Sequence, residues 1–271
     1  MSEPNVPARG FLESSLLWLK LSYFRTLLFV QSLRYKKPGG RVTVYNDHGD
    51  FGVMDADFRL SLPAARRITR YRGGIDWRVR RLAERYGCPD FFEPAAGDVV
   101  IDIGANVGEF SLYALSKGAK AIAFEPDPTV FQCLQRNLER LPDATALQLA
   151  LWNEPATLNF FSAVDRADSS LITPQANIGT VCEVDAVPLD SIVEIDALPN
   201  IDFIKIDGEG AEPEILQGAT NTLKKTRRIA IDVGPERQGE STRDAVLEIL
   251  ESCGFTIDEH ASANELFASR Q

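Results

Sequence analysis

The sequence predicts a doubly wound α/β fold, in which helices cover both faces of a mostly parallel sheet. Three observations predict it. Short apolar runs alternate with helical patterns from residue 98 onward. These runs are continuously apolar, as expected of parallel strands that are buried on both faces. The last helical pattern is followed by two strand-like runs a few residues apart, which only an antiparallel hairpin can join, because a parallel return needs a longer crossover.

The predicted elements follow one another to the C-terminal end of the chain. Gly254 is expected to end the last helix as a left-handed cap. No element is assigned in the long insert between the third and fourth strands. The predicted strands are residues 98–104, 121–126, 146–151, 201–207, 228–233, 255–259 and 266–269, and the helical patterns run to residue 116, over 128–140, to about 225 and over 242–253.

The catalytic domain is predicted to span residues 98–271, and two segments precede it. Residues 1–60 combine an amphipathic helix with a β-like piece (RVTVYN) and a turn-rich stretch (DHGDFGVMD). Residues 61–97 are an Arg-rich, mostly helical lead-in. We therefore expect residues 1–97 to form an N-terminal helical extension of the main fold.

Residues 11–33 are the most apolar stretch of the chain, with large apolar side chains at helical spacing. Glu13, Lys20 and Arg25 interrupt it, so that it is not expected to cross a membrane. We expect a helix that packs on the protein body or forms a homodimer. Nearby basic residues leave open a peripheral helix on a membrane surface.

Charge is distributed unevenly along the chain. Residues 1–97 carry 16 basic and 10 acidic side chains, whereas residues 98–271 carry 13 basic and 29 acidic side chains. An acidic catalytic part argues against a nucleic-acid substrate, because phosphates require a basic face. The four cysteines form no CxxC pair, which favours a reducing cytoplasm and indicates neither zinc nor disulfides.

A glycine-containing turn, DIGANVGE at residues 102–109, follows the first predicted strand and opens a helix. Ligands of open α/β sheets bind at this end of the strands. Gly104 allows the sharp turn, and Gly108 allows close packing of the helix. Asp102 can accept a hydrogen bond from an ammonium group, and the helix start offers N–H groups to a carboxylate.

Glu125 lies at the end of the second predicted strand, 17 positions after Gly108, where a carboxylate can bind both hydroxyls of a ribose. The turn reads GANVG rather than GxGxxG, and Asp102 would repel a pyrophosphate but attract an ammonium group. The pattern therefore favours S-adenosylmethionine over NAD. Trp152, after the third strand, either stacks on the adenine or belongs to the core.

A third motif, DFIKIDGEGAE at residues 202–212, ends the fourth predicted strand. Strand alternation puts Lys205 and Asp207 on one face. Asp207 and Glu209 can then orient or deprotonate an acceptor hydroxyl, with Lys205 fixing the acid. Alternatively, Lys205 and Asp207 form a buried structural ion pair. A divalent cation on Asp207, Glu209 and Asp232 is a third, less favoured interpretation, so no metal site is predicted.

Four segments together resemble the FkbM-type methyltransferase family: DVVIDIGANVGEFSLYAL, AFEPDP, VPLDSI and IDFIKIDGEGAEPEILQGA. The resemblance runs from about residue 70 to the C-terminal end. It implies a class I methyltransferase (Rossmann-like) fold, S-adenosylmethionine as the methyl donor, and O-methylation of a sugar or polyketide hydroxyl. It also implies donor-loop roles for Asp102, Gly104, Asn106 and Gly108, and a ribose contact for Glu125.

The same resemblance assigns Lys205, Asp207, Glu209 and Glu212 to the KxDxEGxE signature of the family. Gly208 departs from it, because the family usually has an apolar residue there. The resemblance also implies that the loop at residues 168–171 (DSSL) closes over the acceptor side.

The expected function is therefore S-adenosylmethionine-dependent O-methylation of a sugar, a glycolipid, a polysaccharide or a polyketide-type acceptor. The alternative is a catalytically silent S-adenosylmethionine-binding protein, or a membrane-surface accessory protein, with the same fold.

Overall fold

A computed structural model describes residues 22–23, 42–47, 50–55, 58–163, 169–173, 180–237, 239–258 and 262–270. The amphipathic helix predicted at residues 11–33 lies outside the described residues, apart from the helical pair 22–23. Within the described part of the chain, no helix has the length and apolar character needed to span a bilayer.

The secondary structure alternates between strands and helices from residue 99 onward. The strands are β1 (Thr43–Asp47), β2 (Asp50–Met54), β3 (Arg59–Ser61), β4 (Val99–Ile103), β5 (Lys120–Phe124), β6 (Ala144–Leu147), β7 (Ala150–Leu151), β8 (Ala156–Ser162), β9 (Thr180–Val187), β10 (Ile201–Ile206), β11 (Thr226–Asp232), β12 (Thr256–Ile257) and β13 (Glu265–Ser269). The helices are α1 (Ile75–Arg85), α2 (Glu109–Ser116), α3 (Pro128–Leu138), α4 (Val193–Asp196), α5 (Glu212–Gln217), α6 (Thr220–Lys224) and α7 (Arg243–Ser252), with 3-10 helices at Ala65–Tyr71 and Leu189–Ser191.

Seven strands form the central sheet, in the order β12-β13-β11-β10-β4-β5-β6. The five strands from β11 to β6 are parallel, and β13 runs antiparallel to both β11 and β12. This topology confirms the predicted doubly wound sheet and its C-terminal antiparallel hairpin. The strand order reverses between β4 and β10, so that a ligand crevice is expected at their carboxyl ends.

The insert between the third and fourth predicted strands differs from the sequence prediction. The third strand is split: β6 stays in the central sheet, whereas β7 joins β9 and β8 in a separate three-stranded sheet. Strand β8 alternates between buried and more exposed residues and includes Thr157 and Asn159. A search for continuously apolar runs misses such a strand, because only one of its faces is buried.

Two further predictions need correction. Residues 50–54 belong to the stretch predicted as turn-rich, but they form β2, which pairs with β1 and β3. The single helix predicted to end near residue 225 is two helices, α5 and α6, with Gly218 between them. A Cβ atom on Gly218 would lie 2.1 Å from the Trp152 carbonyl oxygen, so that only glycine allows this close approach.

The lead-in at residues 61–97 packs on the central sheet as part of one hydrophobic core. Tyr71 and Tyr86 share this core with Phe110 and Phe203. The Phe92 ring stacks on the Phe203 ring of β10, with 4.6 Å between the ring centroids. Side chains from this segment therefore come close to the carboxyl ends of the strands.

Candidate active site

A cleft with an empty volume of about 690 Å³, including space open to solvent, lies at the carboxyl ends of the parallel strands. Its position at the reversal of strand order is the one expected for a ligand site in an open α/β sheet. The cleft brings together five of the residues predicted from the sequence: Gly104, Asn106, Glu125, Asp207 and Glu209.

The turn after β4 follows an unusual backbone path. Gly104, Asn106 and Gly108 all have positive φ angles, of 70°, 54° and 92°. A Cβ atom on Gly104 would lie 2.0 Å from the carbonyl oxygen of Asp207, and one on Gly108 would lie 2.9 Å from Leu134 Cδ1. Gly104 therefore lets the turn after β4 touch the loop after β10, and Gly108 lets α2 approach α3.

Glu125, at the end of β5, is a buried carboxylate held by backbone N–H groups. Its Oε2 accepts a hydrogen bond from Asn106 N, and its Oε1 accepts one from Asp127 N, each at 2.9 Å. Burial raises the pKa of Glu125 to about 7, against the lowering effect of these two N–H groups. Each oxygen keeps accepting capacity for a hydroxyl, so that Glu125 fits a ribose diol.

Asp102 does not line the cleft among the described residues, and its carboxylate is paired within the protein. The residue is fully buried, and its Oδ2 accepts hydrogen bonds from Ser111 N at 3.1 Å and Ser111 Oγ at 2.7 Å. Its Oδ1 lies 3.1 Å from Lys205 Nζ. These contacts give Asp102 a structural role beneath the turn, and a direct or water-mediated contact with the donor ammonium stays a prediction.

Lys205 is also buried, with 2% of its side chain exposed. Its Nζ donates to the carbonyl oxygens of Ile103 at 3.0 Å and Gly104 at 2.8 Å, and lies 4.0 Å from Asp207 Oδ2. Burial lowers the pKa of Lys205, but the carboxylates of Asp102 and Asp207 outweigh it and raise the pKa. Lys205 therefore belongs to a buried structural ion pair, but its closer partner is Asp102 and not the predicted Asp207.

Asp207 lies in the cleft, directly after β10. Its Oδ2 accepts a hydrogen bond from the Tyr86 hydroxyl at 2.7 Å, and its N–H donates to Ile103 O at 3.1 Å. The Tyr86 side chain is fully buried, and burial raises its pKa well above the ordinary value, so that it stays a donor. Asp207 is thus oriented by a residue of the lead-in, which the sequence analysis did not identify.

The loop that carries Glu209 is held by hydrogen bonds from its backbone to the Glu212 side chain. Glu209 itself has a positive φ angle of 50°. The fully buried Glu212 accepts hydrogen bonds from Gly208 N and Gly210 N at its Oε1, each at 3.0 Å, and from Thr242 Oγ1 at its Oε2, also at 3.0 Å. A Cβ atom on Gly208 would lie 2.8 Å from Ile215 Cδ1, so that glycine suits the tight packing here.

Three carboxylates crowd the acceptor side of the cleft. One oxygen from each of Asp207, Glu209 and Glu236 lies within 4.8 Å of the others. Glu236 takes the place that the sequence analysis gave to Asp232, whose carboxylate pairs with Arg85. Burial, with repulsion from Asp232, raises the pKa of Glu236 to about 9. A proton on Glu236 therefore reduces the repulsion among the three carboxylates at neutral pH. Carboxylate oxygens are also the ligands that divalent cations prefer.

Trp152 does not line the cleft among the described residues; Leu149 and Leu151, just before it, do. The Trp152 ring packs against the hydrophobic core instead. In the DSSL loop, Asp168 lies outside the described residues, whereas Ser169 and Leu171 line the cleft. Ser170 Oγ donates to the Glu209 carbonyl oxygen at 2.6 Å, which ties this loop to the acceptor side.

The seven-stranded sheet and the cleft at its switch point define a class I, S-adenosylmethionine-dependent methyltransferase fold. Residues 102–257, more than half of the chain, match the family described as "Methyltransferase FkbM domain". The chain belongs to this family, which confirms the resemblance stated from the sequence.

Several curated proteins are similar to this chain. Hexuronic acid methyltransferase AglP of Haloferax volcanii is 27% identical over 160 residues, which cover 58% of this chain and 65% of that protein. 31-O-demethyl-FK506 methyltransferase FkbM of Streptomyces tacrolimicus is 26% identical, covering 65% and 78%. 2-O-methyltransferase NoeI of Sinorhizobium fredii is 25% identical, covering 57% and 71%. The match spans less than two thirds of the length of AglP.

Proposed function

We propose that this protein transfers the methyl group of S-adenosylmethionine to a hydroxyl of a sugar, a glycolipid, a polysaccharide or a polyketide-type acceptor. One observation carries the proposal: the Asp207 carboxylate lies in the same cleft as the donor-side residues Gly104, Asn106 and Glu125. The names of two relatives specify O-methylation, and that of a third names a hexuronic acid.

S-adenosylmethionine, when bound, supplies a methyl group on a positively charged sulfur. Glu125 would bind the ribose hydroxyls, and the turn at Gly104 lines the cleft beside it. Asp207 would take the proton of the acceptor hydroxyl when its oxygen accepts the methyl group, while the carbon–sulfur bond of the donor breaks and S-adenosylhomocysteine leaves. Asp207 Oδ2 already accepts the Tyr86 hydrogen bond, which makes Oδ1 the more basic oxygen and the better proton acceptor. General-base assistance of this kind contributes about 10²–10⁴ in rate.

Most of the remaining rate enhancement is expected from alignment. The attacking oxygen, the methyl carbon and the sulfur must lie in line, and holding them so can contribute about 7–11 kcal/mol. Tyr86 and Lys205 serve this alignment indirectly, because they hold Asp207 at the end of β10. Leu171, on the insert loop, helps to exclude water from the cleft.

The decisive variant is Asp207→Asn, which keeps the shape of the side chain and can still accept the Tyr86 hydrogen bond. Donor binding should stay within a few-fold, whereas methyl transfer should fall by about 10²–10⁴. The measurement is transfer of a labelled methyl group to a panel of glycosides, glycolipids and polyketide alcohols, with donor affinity measured by calorimetry. Asp196→Asn, on the exposed side of α4, is the matched control.

Turnover that is unchanged in Asp207→Asn would remove this residue from the mechanism. Donor binding without transfer to any member of the panel would instead favour the catalytically silent binding protein. Contact of residues 11–33 with a second subunit or a membrane remains a prediction, which size measurements and liposome flotation of the full chain test.

A further inference from the structure

The donor turn is held by a residue that lies outside the matched family domain. Arg67, on the 3-10 helix Ala65–Tyr71, is 2% exposed and lines the cleft. Its guanidinium donates a hydrogen bond from Nη1 to Asn106 Oδ1. The family match begins at residue 102, so that this contact joins the lead-in to the donor site.

Asn106 is the non-glycine residue with a left-handed backbone in the donor turn, residues 104–108. Its φ angle is 54°, a left-handed conformation that non-glycine residues adopt at a cost and that asparagine tolerates better than most. Its N–H donates to Glu125 Oε2 at 2.9 Å. Arg67, Asn106 and Glu125 therefore form one connected chain of hydrogen bonds from the lead-in to the ribose-binding carboxylate.

The charges around these three residues agree with a role of Arg67 in holding Glu125. Burial and Asp127 raise the pKa of Glu125, whereas the positive charge of Arg67 lowers it, and the charges of Lys205 and Glu125 attract each other. Burial lowers the pKa of Arg67, as does Arg70, and the carboxylates of Glu125 and Glu109 act in the opposite direction. Arg67 still stays protonated, because its ordinary pKa lies far above neutrality.

We propose that Arg67 is a positioning residue of the donor site, which fixes Asn106 so that Glu125 is held ready for the ribose hydroxyls. The inference rests on the proposed function, because it presumes that the cleft binds S-adenosylmethionine. Under this proposal the lead-in contributes to the donor site, in addition to packing on the central sheet.

The test is calorimetric titration of S-adenosylhomocysteine, the demethylated donor, into the full-length chain and its variants from pH 6 to 9. Arg67→Met should weaken binding about tenfold at pH 7, because the charged hydrogen bond to the donor turn is lost. Arg67→Lys keeps the charge but loses the fork of donors, and should weaken binding less. Arg66→Met, at the exposed neighbouring position, should change nothing.

The pH dependence of binding distinguishes a positioning role of Arg67 from a general loss of packing around the donor site. Glu125 binds hydroxyls best as the carboxylate, so that affinity should fall as the pH drops through its pKa of about 7. Loss of the positive charge in Arg67→Met raises that pKa further, and the midpoint should move to higher pH. In Arg67→Lys the midpoint should stay near that of the wild type.

If Arg67→Met does not fold, Asn106→Gly removes the same contact, and glycine tolerates the left-handed conformation. Arg67→Lys should then have no further effect on affinity in the Asn106→Gly background. Additive effects would overturn the inference, as would an Arg67→Met variant with unchanged affinity, or with weaker binding but an unshifted midpoint. Absence of binding to the wild type would instead contradict the proposed function.

Discussion

The two ends of the cleft are built in different ways. The donor end consists of a backbone turn with three positive φ angles and one buried carboxylate, Glu125, held by two N–H groups. The acceptor end consists of three crowded carboxylates, Asp207 and Glu209 on the loop after β10 and Glu236 on the loop after β11. Backbone geometry can be specified by a few neighbouring residues, whereas crowding of charged groups depends on distant parts of the chain. The donor end is therefore recognisable as a motif, whereas the acceptor end is recognisable only in part, because Glu236 joins the motif residues Asp207 and Glu209 from a distant loop.

Breaking the buried ion-pair network of Lys205, Asp102 and Asp207 should have the largest effect on stability. Lys205→Met leaves the buried Asp102 and the nearby Asp207 without their cation. We expect a loss of about 3–5 kcal/mol in the free energy of unfolding, because an uncompensated buried charge is costly. Urea denaturation measures it. Lys117→Met, which breaks a partly exposed pair with Glu93, should cost less than about 1 kcal/mol. Equal losses would contradict the importance of the buried network.

A smaller loss of stability is expected at the contact between Gly104 of the donor end and Asp207 of the acceptor end. Gly104→Ala introduces a Cβ atom 2.0 Å from the Asp207 carbonyl oxygen, at a φ angle of 70°. The expected cost is about 2–4 kcal/mol, from the backbone conformation and the clash together, with donor binding lost. Thermal unfolding and donor titration measure both.

The control for this prediction is Gly97→Ala, which has a similar φ angle of 91° but no atom within 4 Å of the added Cβ. It should cost only about 1–2 kcal/mol and leave donor binding intact. If both variants bind the donor equally well, the close contact between the two ends is not needed for donor binding.

The smallest effect concerns protonation at the acceptor end. The folded-state pKa of Glu236, about 9, lies above its ordinary value of 4.5. Between these values the folded protein binds more protons than the unfolded chain, so that Glu236 makes stability fall as the pH rises. Glu236→Gln should therefore melt a few degrees higher than the wild type at pH 9, and the difference should shrink toward pH 5. A difference that grows toward pH 5 would reverse the assigned direction.

Particular elements show how far prediction from the sequence extends. Strands β4, β5, β10 and β11 were predicted to within about three residues at each end, because continuously apolar runs mark strands buried on both faces. Strands β8 and β9 were missed, since an alternating pattern in a long insert resembles a polar loop. Glu125 and Asp207 could be placed in one cleft because the carboxyl ends of parallel strands meet at one edge of a sheet.

The contributions of other residues could not be predicted in this way. Arg67 and Tyr86 lie in an Arg-rich helical segment whose pattern is that of a solvated surface, yet both are buried beside the cleft. Glu236 carries no motif and reaches the acceptor end through the loop after β11. Lys205 was assigned to the correct face of β10, but its burial against Asp102 depends on packing between β4 and β10.

The sequence by itself determined the fold class, the donor turn and the carboxylates that follow the strands, because these depend on periodicity and on residues close together in the chain. Only the tertiary structure decided which of those groups face the cleft, which pair beneath it, and which side chains of the lead-in support them. The physical reason is that burial and charge pairing are set by contacts between segments far apart in sequence, and such contacts leave no local pattern.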